Sequence, residues 1–406
     1  MNTHPQRKPI VIMGAGLAGM ATALALLKAG HQVVVYERYH SSRPAGSLLN
    51  LWPPPVKALE DMGVDISDLG SPCASSFRSA SGTLRATVNL KTFTERYGGG
   101  FLGLLRPDLY ARMHAAIPEG TIKFNRQLSS IESHNDHVTL RFGDGEVVET
   151  PVLIGCDGID SIVRKELWGN TPKRPHNLHV LGGYTFDTSL KVPQNEAVIS
   201  HNRTIQAAYT SVRSQGRSGW QWWVLEAFDD KPGREGPVDI LAHGRKMGQG
   251  FEHIPELIAA TPPNQTQRWV IRDRQPINKW SKGRVTLAGD AAHPTSPYAA
   301  YGAGMSICDG YFLGQSLAGV DLTDTLAVER ALEKYEQCRI PHTTDQVNQA
   351  YFLGQLFHHS SWYMRPIRDM ILDWTPFLQW SVGDRNPTEI MKQLDEMGNG
   401  ILSPKK

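Results

Sequence analysis

Four cysteines are all that this chain carries, at Cys73, Cys156, Cys308 and Cys338, and none forms a C-x-x-C pair or stands near histidines at zinc-ligand spacing. That pattern argues against a disulfide scaffold, points to reduced thiols inside a cell, and implies no metal. Charge of one sign is lacking as well. Lys plus Arg number 42 against 40 Asp plus Glu, a formal +2, and no window collects a long like-charged run, which argues against nucleic acid held through phosphate contacts. No apolar run approaches membrane-spanning length, and the first residues, Met-Asn-Thr-His-Pro-Gln-Arg-Lys, hold no signal-peptide h-region. The most membrane-like stretch, Trp362 to Val382, carries Arg365, Arg368, Asp369 and Asp373 and reads as a packed amphipathic helix. Internal repeats and low-complexity tracts are absent. The expectation is a soluble, cytoplasmic, globular protein with no nucleic-acid or membrane partner. Its 406 residues, 40% of them hydrophobic, leave room for two or three structural units.

What is present begins with the stretch from Pro9 to Glu37. Residues 9–13 (Pro-Ile-Val-Ile-Met) form the short apolar run of a buried parallel strand, and Gly14, Gly16 and Gly19 follow in the spacing G-x-G-x-x-G, with Ala18 among them. Leu17 to Ala29, rich in Ala and Leu, predicts a helix, and Gly30 stands where a helix C-terminus accepts positive φ. A second strand, Gln32 to Tyr36, ends on Glu37, where a carboxylate can accept hydrogen bonds from ribose hydroxyls. The glycines permit a tight turn, backbone approach to a pyrophosphate and close helix–strand packing, and the helix N-terminus offers N–H groups to phosphate. This is a dinucleotide site of unspecified kind.

Two further strand-to-helix corners follow. Val152-Leu153-Ile154 leads through Gly155-Cys156-Asp157-Gly158 to a helix from Ser161 to Leu167, and Arg284 to Leu287 leads through Ala288-Gly289-Asp290 to a loop holding Pro297, Tyr298 and Tyr301. Gly302-Ala303-Gly304 then opens a helix to about Leu317, and Leu322 to Leu394 reads as mainly helical with breaks at Pro341, Pro366 and Pro376. Gly143-Asp144-Gly145 marks a hairpin between 136–142 and 146–149. From about 177 to 275 the pattern is alternating and extended, as in an antiparallel sheet that roofs a substrate cavity. In it, Trp220 and Trp222 share one face while Gln221 and Trp223 share the other. The division expected is a discontinuous nucleotide domain (1–72, 98–176, 276–321), a sheet domain (73–97, 177–275) and a helical region (322–406).

The three corners together resemble the flavoprotein monooxygenases typified by para-hydroxybenzoate hydroxylase. The resemblance implies an α/β fold: a Rossmann-like FAD-binding domain with a parallel sheet, an inserted antiparallel substrate-domain sheet, and C-terminal helices. It implies FAD at Gly14, Gly16, Ala18, Gly19, Glu37, Arg38, Arg43, Arg106, Asp157, Gly158, Asp290, Pro297, Gly302, Ala303 and Gly304. Asp157-Gly158 is similar to the family's D-G motif, associated with FAD and nicotinamide, and Gly289-Asp290 to its G-D motif, whose carboxylate meets the ribityl chain. Arg106 is similar to the arginine that steadies the cofactor. The activity implied is NADPH- or NADH-dependent hydroxylation of an aromatic or heteroaromatic small molecule by dioxygen, through a flavin C4a-hydroperoxide. Tyr298, Tyr301 and Trp222 are the candidates to border the substrate ring, and the protein is expected to be a monomer or homodimer.

The chain departs from the family pattern at Tyr301, Gly304 and Cys308 and at Pro54-Pro55. Two rival readings use the same scaffold. One keeps the flavin for epoxidation, reduction or halogenation, although Trp220-Gln-Trp222-Trp-Val224-Leu225 lacks the Ile-Pro of the halogenase motif. The other is a non-redox binding protein of the GDP-dissociation-inhibitor type. His293, directly after Gly289-Asp290, reads as structural rather than as a base.

Overall fold

In a computed structural model, the protein is described at residues 8–41, 48–91, 95, 100–231, 233 and 235–398. Arg43 lies outside the described residues. The apolar run after Pro9 forms the strand Ile10–Met13, fully within the core, and the Ala/Leu-rich stretch forms the helix Leu17–Lys28. That strand is the centre of a five-stranded sheet. Val33–Tyr36 and Ile122–Lys123 lie in order on one side, and Leu153–Gly155 and Val285–Leu287 on the other, all parallel. Strands buried on both faces read as continuous apolar runs, as these do. The corners after Met13, Gly155 and Leu287 therefore emerge side by side at the carboxyl edge, where open α/β sheets bind ligands.

The second large sheet has seven strands, in the order Thr266–Asp273, Arg174–Thr185, Arg217–Ala227, Gln206–Ser214, Glu196–His201, Ala74–Ser79, Leu84–Val88. It is mixed rather than purely antiparallel, because Ala74–Ser79 runs parallel to Glu196–His201. Two helices that alternation did not anticipate, Ile240–Gly248 and Ile254–Ala259, cover one face of this sheet. Under them lie Trp220, Trp222, Tyr209 and Val224 with Ile254, Leu257 and Ile258. The hairpin at Gly143–Gly145 joins Val138–Phe142 to Val147–Thr150 and forms a three-stranded sheet with Leu128–Ser133.

The C-terminal region corrects two expectations. Pro341 does not break the chain: one helix runs from Thr325 to His358 through it. The proline forfeits one backbone hydrogen bond, yet Arg339, Thr343, Gln346, Val347 and Ala350 on either side of it are buried, and that packing outweighs the local loss. Residues 362–382 do not form one packed helix either. Pro366 begins the short helix Arg365–Trp374, of which only Arg368 and Leu372 are buried. Trp362, Tyr363, Ile367, Met370 and Trp374 are exposed. No helix among the described residues is long and apolar enough to cross a membrane.

The helix Gly302–Leu317 crosses Leu17–Lys28 at very short range. A side chain at Gly310 would meet Thr22 N at 2.4 Å and one at Gly314 would meet Ala25 Cβ at 2.6 Å, so these glycines set how closely the two helices approach.

Candidate active site

The first corner is built for close backbone approach. Gly14 has φ +97°, and a Cβ there would fall 2.5 Å from the carbonyl oxygen of Cys156. A Cβ at Gly19 would fall 1.8 Å from Gly14 O, so the third glycine is required by packing. Gly16 differs: a Cβ on it would meet nothing within 4 Å and would project into open space beside the helix N-terminus. No side chain caps that end of the helix, which leaves its first N–H groups free for a ligand. Glu37 stands over the turn, accepting from Ala15 N at 2.8 Å and Tyr39 N at 3.0 Å. Arg38 is exposed and lies 4.9 Å over the Tyr39 ring.

At the second corner Asp157 is a helix cap. Its Oδ2 accepts from Ile162 N at 2.7 Å and Val163 N at 3.3 Å, while Oδ1 is buried without a partner. Burial raises the Asp157 carboxyl above its usual range, and hydrogen bonds from Ser161 and these amides oppose it. The helix it caps, Ile162–Trp168, carries Arg164, whose guanidinium donates to Ala291 O at 3.0 Å and Ala292 O at 2.7 Å. Arg164 thereby ties the second corner to the third.

The third corner rests on a buried ionic cluster. Asp309 is fully buried; its Oδ2 accepts from Gly289 N at 2.8 Å and from His293 Nε2 at 2.5 Å, and its Oδ1 from Arg339 Nε at 2.8 Å. Burial alone would raise this carboxyl, but His293 and Arg339 outweigh it and hold it below the usual range. His293 is thus a structural residue clamping the Gly289-Asp290 turn. Asp290 itself turns its carboxylate toward the cavity, surrounded by protein but accessible from that side. Burial raises the Asp290 carboxyl, opposed by the charges of Arg106 and His293. Arg106, at the first position of the helix Arg106–Ala116, has a buried Nε with no protein partner.

One cavity of about 680 Å³ joins these corners to the seven-stranded sheet. At one end lie Gly16, Leu17, Ala18, Gly158, Arg106 and Asp290, and in the middle Pro297–Tyr301 with Gly302 and Ala303 at the start of their helix. No side chain caps that helix N-terminus. Gly304 does not line the cavity; it is packed against the Tyr301 ring and Pro55. The far end is walled by Phe77, His201, Gln206, Trp223 and Trp269 from the sheet and by Gln346 and Phe357 from the long helix.

Of the three candidates to border a substrate, Tyr298 and Tyr301 line this cavity and Trp222 does not. Strand alternation puts Trp222 on the face covered by Ile240–Gly248 and Ile254–Ala259, where it is fully buried with its Nε1 donating to Thr261 Oγ1 at 2.8 Å. Trp223, of opposite parity, faces the cavity. The sequence divides the two faces correctly, but the expectation that Trp222 borders the ligand chose the wrong one, because alternation does not tell which face two helices will cover. Nor does the sequence assign a role to Asp309, Arg339 or Arg164, whose partners come from distant segments.

His179, Glu226 and His243 bring ligand-type atoms within 4.8 Å of one another on the outer face of the sheet. Arg268 Nε donates to His179 Nδ1 at 2.9 Å, so His179 carries its proton on Nε2, toward Glu226 at 2.8 Å. The cluster is a hydrogen-bonded one.

The donor set fits FAD: an open glycine beside a free helix N-terminus, an acid over the glycine turn at the end of the second strand, an unpartnered arginine nitrogen, and an aspartate lining the cavity. A sequence profile of FAD-binding domains matches residues 7–350. The 6-hydroxynicotinate 3-monooxygenase of Bordetella bronchiseptica is 31% identical over 343 residues, 81% of this chain and 88% of the relative. The 3-amino-4-hydroxybenzoate 2-monooxygenase of Streptomyces platensis is 28% identical over 375 residues, 89% and 92% of the two chains. Among solved structures, HpxO of Klebsiella pneumoniae with FAD and uric acid superposes with a TM-score of 0.82 at 23% identity, over 99% of each chain. The second and third corners, the cavity they open into and these likenesses leave the non-redox reading without support: the chain belongs to the FAD-binding-domain family and is an FAD-dependent monooxygenase of the aromatic-hydroxylase kind.

Proposed function

We propose that the protein hydroxylates an aromatic or heteroaromatic small molecule, with NADH or NADPH as reductant and dioxygen as the source of the oxygen atom. The observation that carries this reading is the single cavity that runs from the dinucleotide corner to an aromatic-lined sheet face. FAD, when bound and reduced, supplies oxygen activation at its C4a position. The chain's own residues bind, orient and exclude water. Gly16, Ala18 and the helix N-terminus beside them would receive the pyrophosphate across a turn that Gly14 and Gly19 allow to pack tightly, and Glu37, with Arg38 next to it in the chain, would receive the adenosine ribose. Asp290 would take the ribityl hydroxyls, and Arg106, beside it at the same end of the cavity, would steady the cofactor. Pro297 and the N–H groups of Gly302 and Ala303 meet the ring edge that gathers negative charge on reduction, where a helix N-terminus stabilises it. Asp157 and Gly158 shape the second corner, where Gly158 lines the cavity and would leave room for the cofactor and its nicotinamide reductant. Tyr298, Tyr301 and Trp223 border the substrate ring, and the apolar walls keep water from the reacting centre.

The test is to load the purified protein with FAD and follow NADH and NADPH oxidation with a panel of phenols and hydroxylated heteroaromatics, using isotopically labelled dioxygen. Oxidation stimulated by one aromatic, with one labelled atom in the product, is the expected result. Labelled oxygen absent from every product, with nicotinamide oxidation unaffected by any ring, would overturn the proposal.

A further inference from the structure

The far half of the cavity has hydrogen-bonding groups whose orientation is set and, among the described residues, no charge turned toward it to receive an anion. Trp223 Nε1, a donor only, gives its proton to Gln206 Oε1 at 3.1 Å. That places the Gln206 amide nitrogen toward His201 Nε2, at 3.0 Å, so His201 accepts there and holds its own proton on Nδ1. A second chain of the same logic sets Tyr298. Thr204 O, an acceptor only, lies 2.8 Å from His358 Nδ1, so that nitrogen carries the proton and Nε2 accepts. Nε2 lies 2.6 Å from Tyr298 Oη. The tyrosine proton therefore points at His358, which leaves the phenol oxygen of this cavity-lining side chain as an acceptor.

Both histidines are neutral. Burial holds His201 well below its usual range, helped by His358, Arg85 and Arg368, and brings His358 to about 4. The cations behind them are committed elsewhere: Arg85 to Asp373 at 2.6 Å and Arg368 to Asp369 at 2.5 Å. Arg268 borders the cavity on its strand, but its guanidinium turns to the outer face, bonded to His179 and lying 4.5 Å over Phe228. Among the described residues the one cationic side chain facing the cavity is Arg106, at the cofactor end beside Asp290. A carboxylate entering the far half would lose its water and meet no counter-charge from the described residues.

We propose that this cavity selects an uncharged aromatic bearing a hydroxyl or ring N–H, which donates to Tyr298 Oη, and discriminates against the aromatic carboxylates named for the two curated relatives. The proposal rests on the hydroxylase reading for its setting, but its test does not. Dissociation constants are measured by perturbation of the bound-flavin spectrum for 3-hydroxybenzamide against 3-hydroxybenzoate, and for 6-hydroxynicotinamide against 6-hydroxynicotinate, with benzamide as the ligand that keeps the carboxamide and lacks the ring hydroxyl. Each amide is expected to bind at least about tenfold tighter than its carboxylate, and Tyr298→Phe to weaken 3-hydroxybenzamide by about tenfold while leaving benzamide within about twofold. Carboxylates binding as tightly as amides, no binding by any member, or equal losses for both amides in Tyr298→Phe would overturn it. Oxygen uptake in the same samples separates the two claims. Selective binding without nicotinamide-linked uptake supports the selectivity and removes the hydroxylase reading; turnover that favours carboxylates does the reverse.

Discussion

Replacing Asp309 by Asn tests whether the buried ionic cluster holds the third corner in place. The substitution keeps the shape but removes the charge and turns one acceptor oxygen into a donor. Three donors converge on the native carboxylate, from Gly289, His293 and Arg339, and the asparagine can satisfy two at most. Arg339 is fully buried, so its cation is left without its partner. Breaking a buried pair by removing one member costs roughly 3–5 kcal/mol. Because Gly289 N is one of the donors, the loss falls on the turn that aims Asp290 into the cavity. The expected outcome is a urea midpoint shifted by that order and FAD binding weakened by at least ~10-fold. The double variant Asp309→Asn with Arg339→Met removes both charges and should recover a substantial part of the stability, because no uncompensated cation remains. The cluster also carries an acid dependence. The folded-state Asp309 carboxyl is lowered, so its stabilisation is present above the unfolded carboxylate range and is lost as pH falls through the folded value. Asp309→Asn should lack that part of the acid limb. Stability within about 1 kcal/mol of wild type and unchanged FAD affinity would refute the argument, since a removed buried partner cannot cost so little.

The first corner separates a packing glycine from a ligand-facing one: Gly14→Ala should lower stability because its Cβ strikes Cys156 O, whereas Gly16→Val should keep the melting profile of the apoprotein and lose FAD by ~100-fold or more, read by flavin fluorescence. Trp222→Ala should destabilise by roughly 3–5 kcal/mol in chemical denaturation and remove the donor to Thr261 Oγ1, which keeps its own bond to Leu257 O, while Trp223→Phe should shift the KM for the aromatic with little change in stability. His358 is held neutral at about 4 against an ordinary value of 6.5, so the unfolded chain binds the extra proton first. Stability from this residue is therefore full above about pH 6.5 and lost as pH falls toward 4, and His358→Gln should flatten that segment of the stability–pH curve.

Much of the nucleotide half could be read before any coordinates because its signals are local. Strand, glycine turn, helix, strand and acid all fall between Pro9 and Glu37, and Gly14 and Gly19 answer steric demands made by residues in the same turn or the adjoining corner, whereas Gly16 faces open space. The aspartates of the other two corners could be found the same way, since a strand that ends in a small-residue turn before a helix is a contiguous pattern. Alternation over 217–227 likewise separated Trp220 and Trp222 from Trp223 without any tertiary information.

What the chain's order of residues left open depended on which distant segments meet. The face of the sheet that becomes a cavity is decided by where Ile240–Gly248 and Ile254–Ala259 settle, and their burial of Trp222 leaves Trp223 to the ligand side. Pro341 carries a helix-breaking propensity of its own, overridden by the buried residues flanking it on the long helix. Asp309, His293 and Arg339 lie 16 and 30 positions apart, with no periodicity that announces them as a unit. Tyr298 could be named from its loop, but its role as an acceptor follows from a histidine 60 residues on and a backbone carbonyl on a separate strand connection. Backbone-level demands are written into short stretches of sequence, whereas the direction of a hydrogen bond or the counter-charge of a buried acid exists only once the fold has chosen its neighbours.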